Sequence, residues 1–394
     1  MNAPARVPLS EVGDLMAPGQ PLPFSVLDGF GRLLLAQGQR LHDARQLKAL
    51  LERGACVEVE EAQQARRQRA AGAGAGSPAP STREPTWFDR FERQVWTLDE
   101  LLRALVKGEV TGEVGAGSLA ERLGAFADSF IAEVERHPDA ALFLAVRQGG
   151  HRHALYSLTH GLNAATVALL AARQLGWPAP RARSVVLAAL TMNVTITALQ
   201  TRMAEQKEPP SKGQLDLIRA HPHAAAELLA AAGVANEDWL EAVRDHHERA
   251  GGGGYPRGDV APGDAAGLLR AADVYAAKIS PRTLRPALSP QLAARQLFQE
   301  QGGGPLAAAL IKAVGVYPPG DLVTLKNGEV AVVVMRTAVG NAPQVAVLFS
   351  REGKPVPGTP RRDTTQGDTA IAAALADRSR VPRLLPEAVY GLLK

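Results

Sequence analysis

One cysteine, Cys56, stands in the whole chain. That excludes an internal disulfide framework and suits a reducing compartment, with the cytoplasm as the default expectation. Strong charge imbalance is lacking too. A net charge of +4 over 394 residues fits anionic ligands but gives no argument for nucleic acid as a partner. No apolar run reaches the roughly 18 residues of a membrane span. The N-terminal stretch MNAPARVPLSEV lacks the apolar core of a signal peptide, so no membrane association is expected. What is present is ordinary for a globular protein: 46% hydrophobic and 21% charged residues.

The texture changes along the chain. Residues 1–62 read as a small α/β unit. Asp28-Gly29 between apolar runs signals a hairpin, HDARQLKALLERG a short amphipathic helix, and ACVEVEE a strand. His42-Asp43 looks like a metal pair, but Asp43 is better placed as the residue that starts the helix. Residues 63–86, rich in Gly, Ala and Pro towards their end, read as a flexible linker. From 87 to 315 the leucines and alanines recur three and four apart, predicting a mainly α bundle. Residues 316–358 carry Asn327-Gly328 between β-branched runs and then QVAVLFS, a small β appendage. The tail, 359–394, contains one candidate helix in DTAIAAALADR.

Of nine histidines, all but His42 fall between 137 and 247. His137 and His153 lie at helix boundaries, and His151 and His223 sit beside stronger candidates; all four read as solvated. His160 shares a face with Ala164, Val167 and Ala171, where a lone histidine is more often a hydrogen-bonded core residue than a ligand. His221 precedes Pro222, which is expected to start the helix PHAAAELLAAAG. His246 and His247 are adjacent, so on a helix they point about 100° apart and share no single structural role. Asp273 lies among Leu269, Ala272 and Ala276, where a carboxylate needs a partner. Together, four imidazoles and one carboxylate on separate helices form a donor set that transition metals use.

The segments AHPHAAAELL, VRDHHERAGGGGYPRG and LLRAADVYAAKISPRTLRPALSP, in that order, resemble the HD-GYP phosphohydrolases, metal-dependent phosphodiesterases that open cyclic di-GMP. The matching positions are His221-Pro222, His246-His247-Glu248, Gly254-Tyr255-Pro256, Asp273, and Ser280 to Arg285. The resemblance implies an HD-type helical bundle in a bacterial signalling protein. It also implies metal ligation by His160, His221, His246, His247 and Asp273, each projecting inward from a different part of the bundle. Tyr255, Arg282 and Arg285 become candidate ligand contacts, since guanidinium forks suit phosphate oxygens; an exposed basic loop is the plain alternative for the arginines.

The departures from the family pattern are chemical. AALTMNVTI puts Met192 and Asn193 where the family has its His-Asp pair, whose aspartate bridges two metals. Ile196 replaces a lysine near the scissile phosphate, Gly251-Gly252 an Asp-Gly, and Ala276 an aspartate. Two-metal hydrolases hold their ions about 3.5–4 Å apart and stabilise charge on both attacking and leaving oxygens. Asn193 offers only a neutral carbonyl and Met192 a soft thioether, so ligation and transition-state stabilisation both weaken. The expected function is a cyclic dinucleotide sensor or scaffold without catalytic residues. It would hold at most one divalent transition metal (iron or manganese), or none, and act on a signalling protein partner. The alternative reading is an active phosphodiesterase with altered ligands; a third is an interaction module with an empty pocket.

Overall fold

A computed structural model describes residues 4–17, 19–71, 85–108, 117–147, 153–259, 261–375, 377–378, 381 and 384–392. The chain packs as two compact units, Met1–Glu100 with Gly150–Tyr156, and Leu101–Gly149 with Ser157–Lys394.

The first unit contains β1 (Arg6–Pro8), β2 (Val26–Leu27), β3 (Leu33–Leu35), α1 (Ala44–Glu52), β4 (Cys56–Glu58) and α2 (Val59–Ala71). Its antiparallel sheet runs β1-β4-β2-β3. The β2–β3 hairpin forms where Asp28-Gly29 predicts it: the Asp28 carboxylate accepts from the backbone N–H groups of Phe30 and Arg32, each at 2.9 Å. Asp43 caps α1 by accepting from the Gln46 N–H at 2.9 Å, the role its position suggests.

Two boundaries differ from the sequence reading. The expected linker 63–86 is helical as far as Ala71, because VEEAQQARRQRAA is built of good helix formers with Glu60 and Glu61 in its first turn. Its Gly/Pro-rich remainder, residues 72–84, lies outside the described residues, as does His151. The first unit also reaches beyond residue 62, into α3 (Trp87–Lys107). A small sheet needs apolar cover from elsewhere in the chain. Trp87, Phe88 and Phe91 are buried, and Arg53 pairs with the buried Asp99 of α3 at 2.5 Å.

In the second unit lie α4 (Leu119–Arg136), α5 (Pro138–Val146), most of α6 (Tyr156–Gln174), α7 (Ala179–Thr191), α8 (Thr197–Glu205), α9 (Lys212–Ala231) and α10 (Glu237–Asp245). Then follow α11 (Asp264–Ile279), α12 (Pro290–Glu300) and α13 (Pro305–Val314). Helix α10 packs against α7, α9 and α11, which makes it the hub of the bundle. Among the described residues one stretch, Ala179–Glu205, is long and apolar enough to cross a membrane, but 78% of its most apolar window is buried inside the fold.

Helix α9 corrects the expectation that Pro222 begins a helix: it starts ten residues earlier, and Pro222 lies inside it. The reason is a capping box. The Ser211 side chain accepts from the Gln214 N–H at 3.3 Å while the Gln214 side chain accepts from the Ser211 N–H at 2.9 Å, a stronger start signal than a proline.

Strands β5 (Leu322–Leu325), β6 (Val330–Met335), β7 (Gln344–Phe349), β8 (Arg361–Asp363) and β9 (Ile371–Ala374) form an antiparallel sheet in the order β8-β7-β6-β5-β9, and α14 (Pro386–Val389) follows. The appendage therefore extends past 358, and the helix expected in DTAIAAALADR is instead strand β9. Its alanines favour a helix in isolation, but pairing to β5 (Val323 with Ala374, Thr324 with Ala373) satisfies an otherwise open sheet edge. One face of the sheet buries Phe143 of α5 with Leu322, Val332, Val334, Ala346, Leu348 and Val389, fastening sheet to bundle.

Candidate metal centre

His221 sits midway along α9. His246 closes α10, His247 follows it, His160 comes from α6 and Asp273 from α11. The His221 Nδ1–H donates to the Ile218 carbonyl at 2.5 Å, and the His246 Nδ1–H to the Val243 carbonyl at 2.7 Å. A carbonyl only accepts, so each ring proton is on Nδ1 and each Nε2 presents a lone pair. Those two Nε2 atoms lie 3.3 Å apart. One ring nitrogen of His247 joins them, and the three ligand atoms all fall within 4.8 Å of one another.

Electrostatics keep these rings neutral. Burial pushes the His221 imidazole down to about 3, with the neighbouring His246 adding to the effect. Burial likewise lowers His246 and takes His247 well below the usual range. No proton is then available to bridge two facing lone pairs, which repel at this distance. A cation resolves the repulsion, and neutral imidazole is the form that binds metal. The donor set fits one divalent ion held by three nitrogens with an open position.

The other half of the cluster is arranged differently. His160 Nε2 lies 2.7 Å from Asp273 Oδ1. Burial by itself would raise the Asp273 carboxyl, but the hydrogen bond and charge of His160, with His247 and His246, hold it well below the usual carboxylate range. Asp273 is thus an ionised carboxylate engaged by the His160 imidazole. The five residues singled out in the sequence lie in one region, but as a three-imidazole group beside a His-Asp pair.

Met192 is fully buried at the end of α7. Asn193 follows at 8% exposure, and its buried side-chain Nδ2 has no hydrogen-bond partner among the described residues. The next residues, Val194–Ile196, make a short 3-10 turn packed on α9, where the Thr195 hydroxyl donates to the His221 carbonyl at 3.5 Å. Ile196, in the lysine position, is buried in the same turn.

The glycine loop folds back onto the His-His-Glu backbone. A Cβ on Gly254 would meet Glu248 Cα at 2.5 Å and the His247 carbonyl oxygen at 2.7 Å, so only glycine fits. This close approach stacks the Tyr255 ring on His247, centroids 4.4 Å apart. Glu248, fully buried, holds the loop from inside: its carboxylate accepts from the Arg257 N–H at 2.7 Å and the Gly258 N–H at 3.0 Å. Sequence reasoning groups Glu248 with the histidines and misses this role. The signal was a carboxylate just before a glycine-rich turn whose N–H groups need an acceptor. Arg270 was also missed. It is half-buried on α11, one turn before Asp273, and its charge acts on Tyr255 and on His246 and His247. Arg249 and Arg219 act on Tyr255 in the same way.

Arg282 and Arg285 pair through their backbones, Arg282 N–H to Arg285 O at 2.9 Å and the reverse at 3.0 Å. One Arg285 guanidinium nitrogen donates to the Ala277 carbonyl near the end of α11, a terminus where carbonyls lack helical partners. His223 is exposed and pairs with Glu227 at 3.2 Å, and His137 lies between α4 and α5, as their sequence contexts indicate.

Residues 145–303 match the family model of the HD domain. Over 237 residues the chain is 30% identical to the cyclic di-GMP phosphodiesterase PA4108 of Pseudomonas aeruginosa. This segment is an HD domain, and it is similar to the HD-GYP phosphodiesterases. The alignment covers 58% of this chain and 56% of the relative, so the chain spans little more than half the length of that curated protein. A solved structure, Bd1817, an HDG"Y"P protein from Bdellovibrio bacteriovorus, aligns with a TM-score of 0.49 at 16% identity, covering 78% of this chain and 98% of that one. HD-GYP domains are metal-dependent, and among the described residues His221, His246 and His247 form a group that could hold an ion.

Proposed function

We propose that this HD-GYP domain binds a cyclic dinucleotide, cyclic di-GMP by analogy with its relative, without hydrolysing it, and passes the bound state to a signalling partner. One observation carries the reading. Asp273, the one carboxylate among the five clustered residues, is engaged by His160 at 2.7 Å, and the position of the family's bridging aspartate is held by the neutral amide of Asn193. Two divalent ions about 4 Å apart repel by on the order of 15 kcal/mol at an effective dielectric near 20. In a dinuclear site bridging anions offset that repulsion. Here the anionic complement supports one ion.

His221, His246 and His247 would hold that ion through nitrogen, with iron or manganese as the family's metals. When bound, it supplies a fixed positive charge for a phosphate oxygen. The chain's own groups supply the rest of the recognition. Tyr255, stacked on His247, offers an aromatic edge and a hydroxyl, and burial raises its pKa so that it stays protonated. Arg270, with Arg249 and Arg219 nearby, makes the surroundings cationic and suits a phosphodiester. Arg282 and Arg285 remain proposed outer contacts. Positive charge positioned for the phosphate favours binding. Without the lysine and aspartate positions, no group among the described residues is placed to strengthen its hold on the transition state over the ground state.

The test is calorimetric titration with cyclic di-GMP, with and without added manganese, beside a hydrolysis assay and elemental analysis. Binding with one metal or fewer per chain and no turnover is expected. Two metals per chain would overturn the single-ion reading, and sustained hydrolysis lost in His246→Ala would show an enzyme instead.

A further inference from the structure

Pro222 stands inside α9, where a proline is costly. It lacks the N–H that would bond the carbonyl four residues back, and its ring crowds that same carbonyl. It also disfavours helical geometry at the preceding residue, His221. The carbonyl four residues before Pro222 is that of Ile218, and this is the one that accepts from the His221 Nδ1–H at 2.5 Å. In an uninterrupted helix the N–H of residue 222 would occupy it.

We propose that Pro222 is a positioning residue for the metal centre: by removing one helical donor and pushing the Ile218 carbonyl off the helix axis, it reserves that oxygen for His221. The His221 proton is thereby fixed on Nδ1, and the Nε2 lone pair faces His246 Nε2 at 3.3 Å. His246 reaches the same state by another route. Its acceptor, Val243, lies in the last turn of α10, where carbonyls have no helical N–H to receive. Two unlike devices, an internal proline and a helix end, thus leave a carbonyl three residues before each histidine available to orient it. Such outer contacts set ligand tautomer and ring direction, and losing them typically costs 10–100-fold in metal affinity.

The inference rests on the three-imidazole site of the proposed function, and its test separates the two. The full chain is stripped with chelator and titrated with cobalt(II), whose visible absorption follows imidazole ligation, in wild type and Pro222→Ala. In parallel, 15N resonances of the metal-free protein report the His221 tautomer. The substitution restores a backbone N–H that shares the Ile218 oxygen, so cobalt affinity should fall about tenfold, the lower end of the range because a carbonyl has two lone pairs. The His221 resonances should move from the pure Nδ1–H form towards a mixture. The thermal midpoint of the metal-free variant should be no lower than wild type, since alanine is the better helix former. Unchanged affinity with an unchanged tautomer overturns the proposal, and so does a lowered midpoint without a tautomer shift, which would mark a purely structural proline. A wild type that binds no cobalt sinks the metal site, whereas the tautomer comparison still decides the role of Pro222.

Discussion

Lowering pH should destabilise the metal-free protein through His221, and the size of the effect follows from its burial. The imidazole titrates near 6.5 in the unfolded chain and at about 3 when folded, because burial disfavours its charged form. Between those values the unfolded state binds more protons, so stability is fully present above pH 6.5 and is lost as pH falls towards 3. Integrated from pH 7 to pH 5, the loss from this one ring is about 2 kcal/mol. The assay is urea unfolding of chelator-treated protein at both pH values, in wild type and His221→Asn. Asparagine places an N–H near the position of Nδ1 and preserves the bond to Ile218 but does not titrate. His246 and His247 titrate in both backgrounds and largely cancel. Wild type should therefore lose about 2 kcal/mol more than the variant between the two pH values. Equal losses would mean that His221 is hydrated or already protonated at pH 7, and the lone-pair argument for a cation would fall with it.

Gly254→Ala should weaken cobalt binding and cost about 1–3 kcal/mol in urea unfolding, because its Cβ meets backbone at 2.5 Å and cannot be accommodated by a side-chain shift; an unaltered midpoint would place the loop elsewhere. Asp321→Ala should destabilise by about 3 kcal/mol, measured the same way, since it strips a fully buried carboxylate that Arg378 contacts at 2.8 Å and Gln291 at 2.6 Å. Arg378 retains 28% exposure, which holds the cost to the low end for a broken buried pair. Met192→His with Asn193→Asp should raise the metal count from one towards two by elemental analysis; no gain would show that the His160–Asp273 contact has closed that half of the site for good.

Legibility in the sequence follows the range of the forces involved. The hairpins at Asp28-Gly29 and Asn327-Gly328, and the cap at Asp43, are local and can be read directly. Strand β9 cannot, because its alanines favour a helix and only the open edge of β5 decides otherwise. Helix α3 reads as part of the bundle because its periodicity does not say which neighbour each turn covers. In the site, the ligand types are visible as residue letters. Their division into three imidazoles and a separate His160–Asp273 pair depends on distances between four helices, which no spacing encodes. Pro222 misleads most directly: proline is common in a first helical turn, and only the capping box at Ser211, upstream of it, reveals the helix as already formed.

The two halves of the centre also differ in what they ask of folding. The His160–Asp273 contact places a proton between its two facing atoms, an imidazole N–H and a carboxylate oxygen 2.7 Å apart. The three-imidazole half does not. Two lone pairs at 3.3 Å, in rings too buried to protonate, raise the free energy of the metal-free fold. A cation that binds only the folded chain returns that free energy, stabilising by about 2.7 kcal/mol at a hundredfold excess over its Kd. Metal occupancy therefore couples directly to the packing of α9 against α10, the two helices that carry these rings. The glycine loop follows, since it rests on the His247–Glu248 backbone and stacks Tyr255 on His247. A ligand that completes the metal's open position would then be felt at Tyr255 and along α10. The proposed binding role rests on this route, from an occupied site through Tyr255 and α10.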